Sequence, residues 1–177
     1  MTRLLKLTAA SALLLGCASC TTLGPPPKAA AAAQPVQATK LKASTPSYNL
    51  QLDLSGPQKI YSTADYKKQK PTTGEVTVRG QITALKSLPP GTSAHQLVLH
   101  VLHVFSNTPI HGASVSMTIT SSTLKSPIHV PIAVVQSAKP GSGEWLYGNN
   151  VVLAPGNYTV KVVVNAERAT FHLAVLK

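Results

Sequence analysis

Residues 144–164, EWLYGNNVVLAPGNYTVKVVV, decide the fold. Two β-rich runs, 149–153 and 158–164, flank Ala154-Pro155-Gly156-Asn157. Proline presets one dihedral of such a turn, and glycine accepts a backbone conformation that other residues avoid. The chain is therefore expected to turn a β-corner here. Tyr158 re-enters a strand just after Gly156, the position from which a tyrosine ring packs beneath a corner while its hydroxyl ties back to upstream backbone. Gly156 and Tyr158 are accordingly read as structural corner residues.

Outward from the corner, alternation of apolar and polar residues recurs. Tyr48, Leu50, Leu52 and Leu54 begin it, so order is expected from about residue 48. The same pattern runs through Val76, Val78, Ile82 and Ala84, with Gly80 as a candidate bulge, and through Ala113, Val115, Met117 and Ile119. Ile128, Val130, Ile132 and Val134 follow, where Pro131 removes a ladder donor and predicts an edge or a bulge. Phe171, Leu173 and Val175 close the series. The run 96–105 is apolar on both faces, which predicts a central strand covered on both sides. Ser62 to Asp65 reads as the capped start of a short helix that Pro71 ends. Together these runs predict an all-β protein, an immunoglobulin-like antiparallel β-sandwich of about seven to eight strands.

The N-terminal part has a different character. Residues 1–16 open with Arg3 and Lys6 and continue through an apolar run, the layout of a signal peptide. Leu14-Leu15-Gly16-Cys17 resembles the lipobox of bacterial lipoproteins. That resemblance implies lipidation at Cys17, attachment to a membrane and a place in the cell envelope, facing the periplasm or the exterior. Residues 17–47 are rich in Pro, Ala, Thr and Ser and read as a disordered tether. The sandwich domain is assigned to 48–177. Both cysteines of the chain precede it, so the domain has neither a disulfide nor a thiolate metal site.

Charge and chemistry narrow the function. Sixteen basic residues against five acidic ones give a net charge of +11, but the basic residues are dispersed and lack an aromatic platform, which argues against a nucleic-acid partner. The five acids, Asp53, Asp65, Glu75, Glu144 and Glu167, are scattered in sequence, with no paired carboxylates and no nucleophile elbow. A non-catalytic binding or accessory module is the expectation.

Six histidines stand out in a chain poor in ionisable side chains. His100 and His103 differ in strand parity and face opposite ways. If 96–105 and 169–176 flank 158–165 in one sheet, His100 and His172 share an outer face. The segment Tyr147-Gly148-Asn149-Asn150-Val151-Val152-Leu153, the later Pro155-Gly156-Asn157-Tyr158-Thr159-Val160 and the strand beginning at His95 resemble the periplasmic iron-transport β-sandwich family. Leu146 stands where that family carries a ligating histidine, and 131–145 contains no methionine. The resemblance implies a divalent metal, copper or iron, as the cofactor and matches His95 as a candidate ligand, while the shared outer face adds His100 and His172 as candidate ligands. It also implies a metal permease as partner; otherwise an envelope protein partner is expected.

Overall fold

The computed structural model describes residues 38–85, 87–139, 141 and 143–176. The leader, Cys17 and most of the proposed tether lie outside the described residues.

The expected all-β sandwich is present. In chain order the elements are β1 (Thr39–Ser44), β2 (Tyr48–Ser55), β3 (Ile60–Tyr61), α1 (Thr63–Gln69), β4 (Glu75–Arg79), β5 (Ser93–His103), β6 (Val115–Thr120), β7 (Ile128–Val130), β8 (Ala133–Ser137), β9 (Trp145–Leu153), β10 (Gly156–Val164) and β11 (Glu167–Val175). One sheet has seven strands in the order β1-β2-β5-β9-β8-β4-β3, and the other has four in the order β11-β10-β6-β7. All pairings are antiparallel except β3 with β4. Leu50, Leu52, Leu54, Leu97, Leu99 and Tyr147 of the large sheet meet Met117, Ile119, Val160, Val162, Phe171 and Leu173 of the small one in a single core.

The eleven strands among the described residues, rather than seven or eight, have three sources. First, the sandwich begins at Thr39, inside the stretch read as tether and ahead of the boundary placed at 48. Leu41 and Ala43 pack against the core while Lys40, Lys42 and Ser44 face solvent, so β1 is amphipathic at strand period despite its polar composition. The Ser47 amide donates to Glu167 Oε2 at 3.1 Å and ties the β1–β2 turn to the start of β11. Hydrogen bonds from Ser47 and Thr45 hold the Glu167 carboxyl below its usual range.

Second, the run 128–134 is two strands and not one. β7 is an edge of the small sheet and β8 lies inside the large one, so Pro131 marks the crossing between sheets. A residue without an amide donor is tolerated where the chain leaves one ladder for another. The corner at Ala154-Pro155 does the same between β9 and β10, and the Tyr158 hydroxyl donates to the Ala154 carbonyl at 2.7 Å, as a tyrosine corner should. Third, the two-residue strand β3 joins the far edge of the large sheet. The bulge expected at Gly80 falls just before it, between Thr77 and Arg79, and Gly80, at φ +85°, ends β4. The helix starts as predicted: Ser62 Oγ accepts from the Asp65 amide at 3.0 Å.

The large sheet is coiled, and its connectivity requires this. β2 and β3 stand five strand steps apart, which in a flat sheet spans about 24 Å. Only residues 56–59 join them, and the step from Ser55 to Ile60 reaches at most about 18 Å. The far edge therefore bends back toward β2 on the side away from the small sheet. Inside this curl Val98, Ala133, Val135 and Ala138 are buried, although none belongs to the main core. They are a second, smaller apolar layer, and they account for the burial of β5 on both faces.

β9 packs closely against β5 at Gly148. A Cβ on Gly148 would lie 2.0 Å from the Leu97 carbonyl oxygen, so β5 and β9 approach as only a glycine permits. Replacing Gly148 by Ala is expected to destabilise by about 3 kcal/mol or more. Gly143→Ala, where an added Cβ meets nothing within 4 Å, should stay within about 0.5 kcal/mol of the parent. Urea denaturation of the two variants checks both.

Candidate functional site

The concave face of the coiled sheet gathers polar side chains that are far apart in sequence. β5 presents Gln96, Val98 and His100 to this face, alternating with the core residues Leu97 and Leu99. Asp53 lies opposite Val98 on β2, and Glu144 immediately precedes β9, whose Leu146 lies opposite His100. His100 Nδ1 meets Glu144 Oε1 at 2.5 Å, and its Nε2 meets Asp53 Oδ2 at 3.1 Å. Carboxylates only accept, so both contacts are hydrogen bonds when both ring nitrogens carry protons. Gln51 Nε2 donates to Asp53 Oδ1 at 3.0 Å, and the exposed Lys40 ammonium stands 3.8 Å from Asp53 Oδ2.

Deeper in the curl, the Gln96 side-chain amide donates to Glu75 Oε2, although their strands are three places apart in the sheet. Gln96 is 2% exposed and Glu75 9%. Burial pushes the Glu75 carboxyl above its usual range, against smaller opposing effects from Gln96 and His100. Between these groups lies a cavity of about 250 Å3, lined by Lys40, Asp53, Glu75, Gln96, His100 and Leu146 among others.

The candidate metal ligands do not converge. His95 faces the sandwich interior, is 1% exposed, and leaves both ring nitrogens without a protein partner. Burial holds its basicity below the ordinary histidine value. His100 faces the opposite side of β5, with its nitrogens engaged by carboxylates. His172 is exposed on β11, opposite Thr159 in the small sheet. The sheet shared by His100 and His172 does not form, because the corner after β9 carries β10 and β11 into the other layer. Among the described residues no three His, Cys, Asp or Glu side chains are placed to hold one metal ion. These residues do not fit the divalent metal that the resemblance implies.

The first three positions of the motif behind that resemblance have structural work. The Tyr147 hydroxyl donates to the Ile110 carbonyl at 2.7 Å and accepts from the Ala113 amide at 3.2 Å, fixing the β5–β6 connection. Gly148 permits the approach to β5. Asn149 Nδ2 donates to the Gln81 and Pro131 carbonyls, both at 2.8 Å, and its Oδ1 accepts from the Thr83 amide at 2.7 Å. One side chain thus ties backbone beyond β4, at Gln81 and Thr83, to Pro131 at the crossing between β7 and β8. No protein-family model, curated protein or solved structure matches this chain.

Glu75, Asp53, Glu144 and Gln96 were not recognisable as a group from sequence. Partners are 21, 44 and 47 residues apart, and coiling of the sheet brings Glu75 in. The one local signal was Gln96, a polar residue inside a run buried on both faces.

Burial raises Glu75 in the folded protein above its value in the unfolded chain. The folded state therefore holds this proton more tightly, and the associated stability is present at low pH and lost as pH rises through the folded value. Glu75→Gln keeps a partner for Gln96 and removes the charge. Its stability advantage over the parent is expected to be smallest near pH 4 and to grow toward pH 8, as urea midpoints across that range will register.

Proposed function

We propose that this chain is a lipid-anchored extracytoplasmic binding or accessory module, non-catalytic, held at the cell envelope through Cys17 and presenting the sandwich to a ligand or an envelope protein partner. The observation that carries binding over catalysis is the state of His100. Its two nitrogens meet the carboxylates of Glu144 and Asp53, and neither meets a hydroxyl or thiol, the nucleophile contact that general-base catalysis requires. The same groups wall a cavity between two buried polar side chains and an apolar surface, a composition typical of small-ligand sites.

The address rests on residues 1–17, where a basic start and an apolar run end at Gly16-Cys17. Expression of the full chain in a bacterial host fed a clickable fatty acid tests it. The parent is expected to carry the label and sediment with membranes, and Cys17→Ser to lose the label and leave the membrane fraction. An unlabelled parent, or a Cys17→Ser variant that behaves like the parent, would remove the anchor from this reading.

A further inference from the structure

We infer that the cavity inside the coiled sheet recognises a protonated amine, an alkylammonium or guanidinium group on a short apolar stem. The inference rests on the binding-module reading and names the ligand chemistry of that site. Its first support is the distribution of charge. The chain carries sixteen basic residues and only five acidic ones, yet Asp53 and Glu75 line this cavity and Glu144 is bonded to His100 in its wall. The other two acids serve elsewhere, Asp65 at the start of α1 and Glu167 at the β1–β2 turn.

The second support is an excess of acceptors. Gln96 spends its amide nitrogen on Glu75 Oε2, and among the described residues neither Gln96 Oε1 nor Glu75 Oε1 has a protein partner. Both side chains are more than nine-tenths buried and line the cavity. Acceptors that open onto a cavity are complemented by donors, and ammonium and guanidinium groups are donor-only. Val98 and Leu146 supply an apolar wall for methylenes.

The protein supplies its own example of the pairing. The Lys40 ammonium stands 3.8 Å from Asp53 Oδ2 and is otherwise exposed. A ligand cation competes with it for the same carboxylate. Burial raises the Glu75 carboxyl, and a cation beside it favours the ionised form. The charged or titratable groups that face or border Glu75 across the cavity are His100, Asp53, Lys40 and, through His100, Glu144.

The ligand amine has two sources, a free small molecule or the side chain of a partner protein. Calorimetry on the full chain in detergent separates them, using butylammonium, agmatine, N-acetyl-lysine amide and the neutral control butanol. The expected result is saturable binding of the cations and none of butanol. Uptake of the two simple amines alone assigns a free amine; uptake of N-acetyl-lysine amide as well assigns a basic side chain. Gln96→Leu should weaken binding by roughly tenfold or more. Lys40→Gln, a surface change that leaves the fold untouched, should strengthen it by roughly two- to fivefold because the competing ammonium is gone. No saturable heat from any amine with folded protein, or butanol binding as well as butylammonium, would overturn the inference. Binding of butanol that is lost in Gln96→Leu would overturn the amine alone and leave the binding-module reading standing.

Discussion

Four residues, 56–59, connect strands that stand five places apart in one sheet, and much of this molecule follows from that shortage of chain. A flat sheet would put β2 and β3 beyond the reach of the link, so the sheet must coil. Coiling gives the large sheet an interior of its own, separate from the interface with the small sheet. Val98, Ala133, Val135 and Ala138 fill one part of it. Glu75, Gln96, Asp53 and His100 border the part that is not filled. A polar cavity beside a second apolar layer is thus a consequence of topology, with the side chains deciding what the space accepts.

β9 is the strand on which both layers hang. It lies between β5 and β8 in the large sheet and hands the chain to the small sheet through the Tyr158 corner. Tyr147 secures one connection and Asn149 another, while Gly148 sets the distance to β5. Those duties give Tyr147, Gly148 and Asn149 structural roles of their own. A strand that must approach its neighbour closely and hold two loops selects Tyr, Gly and Asn whether or not a metal is bound. The ligand positions tell the other half of the story. Leu146 lies opposite His100 on the wall of the cavity, and His95 faces the main core.

Local rules made the strands, the corner, the helix cap and the central place of β5 legible in the sequence. Each depends on a period or a turn carried within a few residues. The strand β1 was equally periodic, but lysines and a proline-rich setting disguised it as tether. The change of sheet at Pro131 was not legible, because an uninterrupted apolar alternation reads the same whether it stays in one ladder or passes to another. The grouping of Asp53, Glu75 and Glu144 was beyond local reading for a deeper reason. Strand parity places a side chain on a face, but the curvature of the sheet decides which residues of that face meet. The same limit misplaced His172, whose parity was right and whose sheet was not.

The account therefore stands on the coil, and the contact between Glu75 and Gln96 is its sharpest consequence. A double-mutant cycle with Glu75→Leu, Gln96→Leu and the double variant, followed by urea denaturation near pH 5, measures that contact directly. Residues in contact couple by about 0.5–3 kcal/mol, whereas residues held about 14 Å or more apart in an uncoiled sheet add independently. A coupling of about 1 kcal/mol or more is the predicted result. Additivity within about 0.3 kcal/mol would contradict the coil and with it the cavity.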